Sequence, residues 1–137
     1  MAEFSDYMEN KIIEVMRATD FTAVAAYVAL FTAVTGLESG EPTGEVPTAG
    51  GTLYLRELAG LSAASGGASS NAADITFDTA GASWGTVTHV ALVDHATNVT
   101  WGTNVHVFMW SELDASKAVA AGDTFKINAG DLDVTVA

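Results

Sequence analysis

The chain has 137 residues, 49% of them hydrophobic, and contains no cysteine. That length suits one domain with a sizeable core, and the missing thiols exclude disulfides, thiol catalysis and thiolate metal sites. Five Lys+Arg stand against seventeen Asp+Glu, a net charge of −12, which argues against nucleic acid and anionic membranes as partners, because both are held by cationic side chains.

The first residues, MAEFSDYMENK, place Glu3, Asp6 and Glu9 where a secretory signal would be basic. The expectation is a soluble protein made in the cytoplasm. Phe4, Tyr7, Met8, Ile12, Val15 and Met16 recur at helical spacing and predict an amphipathic helix within residues 1–20. Asp6 and Glu9 have the spacing of a capping box, and Arg17 suits the C-terminal end of the helix dipole. The apolar stripe must lie on something, either the chain's own sheet or a neighbouring subunit.

The apolar run FTAVAAYVALFTAV (21–34) is shorter than the roughly 20 residues that span a bilayer, and its β-branched content predicts a buried strand. Residues 36–51, GLESGEPTGEVPTAGG, hold both prolines and read as a long loop, a candidate contact arm. TLYLREL (52–58) alternates, with Leu53, Leu55 and Glu57 on one face and Tyr54, Arg56 and Leu58 on the other. SAASGGASSNAA (62–73) reads as a second loop turning at Gly66 and Gly67.

Further strands are expected at DITFD (74–78), GTVTHVALVD (85–94) and VTWGTNVHVFMWSEL (99–113), with two short ones in DTFKINAGDLDVTVA. In 85–94, Val87, His89, Ala91 and Val93 alternate against Thr86, Thr88, Val90 and Leu92. Turn signals at this frequency predict a mainly β fold: an N-terminal helix followed by an antiparallel β-sandwich or jelly-roll. The expected organisation is a single domain over 1–137, with the helix in 1–20 and the sandwich in 21–137.

Few residues here suggest chemistry. His89, His95 and His106 with Asp94 could supply a metal site or an acid–base pair. Along a regular strand, however, His89 and His95 would lie about 20 Å apart. The simpler expectation is separate strand and turn histidines, with Asp94 bonding amides in its turn. No G-x-S-x-G elbow supports a hydrolase. Asp123, Asp131 and Asp133 do not follow a calcium-loop pattern and read as solvated acids. Trp84, Trp101 and Trp110 lie in different β segments and read as packing residues rather than a sugar platform. The sequence therefore predicts no catalytic residue, no metal and no cofactor.

Taken in order, FSDYMENKIIEVMRATDFT, YVALFTAVTG, GEVPTAGG, GGASSNAADITFDTAGASWGTVTHVALVD and LDASKAVAAGDTFKINAGDLDVTVA resemble a family of small virion proteins of tailed bacteriophages, often labelled tail fibre proteins. The strongest elements are Trp84 through His89 and the ASK…GDTF…AGDL ending. The chain departs from the family pattern at Leu53-Tyr54-Leu55-Arg56 and across 95–112. The resemblance implies a non-enzymatic virion protein with a helix followed by a β-sandwich. The role expected first is a capsid decoration (cement) protein on the capsid surface, with the major capsid protein and copies of itself, in a trimer, as partners. The alternative is a tail fibre, adaptor or receptor-binding component, which alone would bring in a host receptor. Candidate contact residues are Phe4, Tyr7 and Met8 on the helix, and Leu37, Val46 and Pro47 in the 36–51 loop.

Overall fold

Apolar residues that alternate in and out along a strand can be buried on both sides only if each face of the sheet is covered. Strand β2 (Tyr27–Phe31) shows the result, since Val28, Ala29, Leu30 and Phe31 are all fully buried. The structure is a computed structural model, and it describes residues 2–17 and 24–136. The expected start of the apolar strand at 21–23, and the Thr19–Asp20 junction before it, lie outside the described residues.

The fold class is the expected one: mainly β, antiparallel, with one helix near the N-terminus. A short strand β1 (Glu3–Phe4) precedes helix α1 (Asp6–Met16). After β2 come β3 (Glu57–Leu58), β4 (Ala68–Ser70), β5 (Ile75–Thr76), β6 (Gly85–Val93), β7 (Val107–Val119), β8 (Lys126–Ile127) and β9 (Asp133–Thr135). The main sheet runs β1-β7-β6-β2-β3, and β4 with β9 and β5 with β8 form two small antiparallel pairs.

One face of the main sheet packs Val28, Leu30, Val90 and Leu92 against Tyr54, Ile75, Phe77, Trp84 and Phe125. The other packs Ala29, Phe31, Ala91 and Val93 against Leu37, Val105 and Val107. Strict alternation would place Val87 with His89, but a bulge between them resets the register, and Val87 joins the first cluster with Val90 and Leu92. Between the pairs Val87–Lys117 and His89–Glu112, β6 advances two residues while β7 advances five, so the regular ladder is broken at this point. The 99–113 segment also differs from expectation. The strand begins only at Val107, and residues before it form a turn in which Trp101 bridges to Val105.

Two corrections concern the N-terminal segment. Phe4 belongs to β1, paired with Met109, rather than to the helix. The helix cap is Ser5, not Asp6: its hydroxyl accepts the Met8 N–H at 3.3 Å and donates to the Val107 carbonyl. Ser5 is fully buried, and its own N–H reaches the Phe108 carbonyl at 3.0 Å. Capping and anchoring therefore coincide on one side chain. Ser5→Ala is expected to cost about 1–2 kcal/mol, measurable as a lower urea midpoint with an unchanged slope.

The 36–51 loop is not a free arm. Gly36 adopts φ +80°, and a Cβ there would lie 2.1 Å from the Glu41 carbonyl oxygen. Only glycine closes this turn, and the turn drives Leu37 into the core. Further along, Thr32 donates its N–H to the Gly44 carbonyl and Val46 to that of Leu30, at 2.8 and 2.9 Å. The loop is thereby laid along the edge of β2, and Val46 is buried.

Candidate functional site

The segment 52–58 has the alternation expected of it from Thr52 to Arg56, with Leu53 and Leu55 outward, but Leu58, expected on the face of Tyr54 and Arg56, is outward as well. Thr52, Tyr54 and Arg56 are buried, whereas Leu53, Leu55 and Leu58 are exposed. The polar handles explain why Thr52, Tyr54 and Arg56 face inward, because each finds a partner inside. The Tyr54 hydroxyl accepts the Leu30 N–H at 2.9 Å and donates to Glu45 Oε1 at 3.1 Å. Arg56 meets Glu45 in a two-pronged pair, Nε to Oε1 at 2.6 Å and Nη2 to Oε2 at 2.7 Å. Its Nη1 donates to the carbonyls of His95 and Asn98, both at 2.8 Å, and the guanidinium lies 4.8 Å from the centre of the Trp101 ring.

One arginine thus ties three stretches of chain together: the loop at Glu45, its own segment, and the turn after β6. A planar fork that donates to a carboxylate and to two carbonyls at once is geometry that lysine cannot reproduce. Burial and the Glu45 charge hold the Tyr54 phenol well above its ordinary value. The ladder pairs Tyr27–Leu58 and Val28–Glu57 also join this segment to the main sheet, where β3 forms an edge.

The histidines are not gathered into one site. His89 bonds Thr88 Oγ1 at 2.8 Å on its strand, and His95 Nδ1 accepts the N–H groups of Thr97 and Asn98 in its turn. Asp94, however, does more than brace a turn. It accepts the His106 N–H at 2.6 Å and the Nδ1 hydrogen at 2.7 Å. The β6–β7 hairpin makes this pair, because Val93 faces Val107 across the ladder. The Tyr7 ring stacks on His106 with centroids 4.0 Å apart, which seats the helix on the β body. Burial, with the Asp94 charge adding to it, pushes the Tyr7 phenol up.

Among the described residues no cluster of His, Asp and Glu could hold a metal ion. Asp123 and Asp131 each cap a local turn, through the Ala120 N–H and the Asn128 amide. Trp84 is core and bonds the Thr52 carbonyl at 2.8 Å, while Trp101 and Trp110 are half-buried.

The expected contact residues separate into three groups. Leu37 and Val46 are interior residues and offer nothing to a partner. Phe4, Tyr7 and Met8 are half-buried, with Tyr7 committed to His106. Pro47 is exposed and lines a surface depression with Pro42, Val99 and Trp101. The surfaces left bare are elsewhere. At the end of α1, Ile13, Val15 and Met16 are exposed, and on the 52–58 segment so are Leu53, Leu55 and Leu58. The leucines escape a sequence reading because hydropathy places leucine inside. The available signal was Arg56, a lone cation within an apolar alternation, which required an inward partner.

Glu57 lies between two of these leucines. Partial burial and the neighbouring Asp78 charge push its carboxyl above the ordinary range. A carboxyl so raised binds its proton more tightly folded than unfolded, so stability falls as pH rises through the ordinary carboxylate range. Glu57→Gln is therefore expected to raise the denaturation midpoint of the isolated chain at neutral pH. The advantage should vanish below about pH 4, where both forms are neutral.

A family model described as podophage GP4 fiber I protein gp80 matches residues 3–135. No curated protein sequence matches the chain.

Proposed function

The chain belongs to this fibre-protein family of tailed-phage virion structural proteins, and from that premise we propose that it is a non-enzymatic subunit of the tail-fibre apparatus. The observation that carries this is the match itself, which runs from β1 to β9 and so takes in the whole described β body. Support also comes from the surface. The exposed leucines of 52–58 and the bare end of α1 are apolar areas of the kind that a neighbouring subunit covers.

A second reading is capsid decoration, with the major capsid protein and further copies of this chain as partners. The specific observation in its favour is α1: its first turn is seated on the β body, while Ile13, Val15 and Met16 project free, as a clamp between capsid subunits would. The loop 36–51 is folded onto β2, and of its expected contact residues Pro47 is the one that remains exposed.

Copy number separates the two. Quantitative mass spectrometry of purified virions should find this chain at about a dozen copies or fewer, as expected of a ring on the single tail axis. A yield on the order of hundreds, near one per major capsid subunit, would overturn the fibre assignment and establish decoration.

A further inference from the structure

An amphipathic helix on a globular body ordinarily turns its apolar stripe inward. Helix α1 turns its own outward. Tyr7, Lys11 and Glu14, spaced by four and three residues, are the half-buried side, with Tyr7 on the His106 ring and the Lys11 ammonium 5.5 Å from the centre of the Tyr7 ring. Ile12, Ile13 and Met16 are exposed, at 36%, 51% and 75%, and no residue of the helix is fully buried.

Met16 follows Ile12 by four residues and Ile13 by three, so the three side chains form one ridge. Glu9 lies three and four residues before the isoleucines, and Arg17 lies four after Ile13, which places both on the same ridge. Both are exposed. From N- to C-terminus the ridge therefore reads acid, apolar, base. Arg17 also meets Glu14 of its own helix at 2.6 Å, but with its side chain 69% exposed that pair holds it only weakly.

We propose that two copies of this chain pair through α1, antiparallel about a two-fold axis at Ile13. The order of charges selects this arrangement. Antiparallel helices set Glu9 of each copy against Arg17 of the other, with the isoleucines and Met16 between, whereas parallel ones would set Glu9 against Glu9. A ridge that carries its own complement is what a two-fold interface requires. The net charge of −12 does not oppose it here. Residues 6–17 hold three acids and two bases, and the rest of the chain fourteen acids and three bases, so like-charged copies approach at least cost along this helix. The proposal goes beyond the fibre assignment and does not depend on the place of the chain in the virion.

Sedimentation of the purified full chain should show a concentration-dependent dimer. Glu9→Arg alone and Arg17→Glu alone should each raise its dissociation constant at least about tenfold, because each sets like charges together. An equimolar mixture of the two variants should pair again, since every reversed charge then meets its opposite, and this recovery also shows that both variants fold. The chain has no cysteine, so Ile13→Cys supplies a single thiol at the axis, and mild oxidation should yield a disulfide-linked dimer. Glu9→Cys should not, because the antiparallel pair sets these positions about 12 Å apart along the axis, beyond disulfide reach. Three results would overturn the proposal: a chain that stays monomeric up to about 1 mM, which would leave the ridge to a different protein; a dimer indifferent to both charge reversals; or equal cross-linking through Glu9→Cys.

Discussion

Arg56→Ala is expected to lower the stability of the isolated chain by about 3–5 kcal/mol, the usual result of removing one partner of a buried ion pair. The side chain is 3% exposed, against 14% for Glu45. Truncation leaves the Glu45 carboxylate without its cation and frees the carbonyls of His95 and Asn98. Against a total of about 5–15 kcal/mol for a domain, this is a large fraction. Arg56→Lys should recover only part of the loss, because an ammonium cannot donate to Glu45 and to both carbonyls in the same plane. Equilibrium urea unfolding measures each value. A loss under about 1 kcal/mol for Arg56→Ala would mean that the pair behaves as a solvent-exposed one.

Phe77→Ala is expected to cost a similar amount, about 3–5 kcal/mol. Phe77 is 1% exposed and touches three rings: Tyr54 in a stack at 6.1 Å, and Trp84 and Phe125 edge-on at 6.2 and 5.7 Å. Removing it leaves a ring-sized void between the main sheet and the β5–β8 pair, which close-packed neighbours cannot refill. The two variants probe different things. Phe77→Ala empties the core beneath the first face of the sheet, whereas Arg56→Ala releases the loops that present Leu55 and Val99. The Arg56 loss should therefore be accompanied by earlier proteolysis in 94–101, and the Phe77 loss by a global change alone.

Where a local pattern decided the structure, the sequence could be read directly. Val28 through Phe31 form a strand because β-branched and aromatic residues fit a sheet buried on both faces, and the last two strands, β8 and β9, are separated at Ala129-Gly130 as the turn signal indicates. The bulge after Val87 was not legible. It depends on β7 running long between its pairings at Glu112 and Lys117, a fact about the partner strand rather than about GTVTHV. Leu37 shows the same limit: a loop rich in glycine and proline looks mobile until Gly36 and Glu41 close it.

The candidate surface was half legible. The period in TLYLREL was visible, but not which face lies inward, because Tyr54 and Arg56 carry long apolar stems whose polar ends found Leu30, Glu45, His95 and Asn98. Hydropathy ranks side chains one at a time and has no account of a partner supplied from a distant part of the sequence. The Asp94–His106 pair was hidden for a related reason, since only the antiparallel hairpin brings the two together.

As a member of a virion structural protein family, the chain is expected to have its bare apolar faces covered in the particle. Hydroxyl-radical footprinting of the free protein and of intact virions tests it most directly. Leu53, Leu55 and Leu58, together with Met16 at 75% exposure, should be oxidised readily in the free chain. In virions the three leucines should be protected severalfold. Equal oxidation of these leucines in both samples would contradict the account.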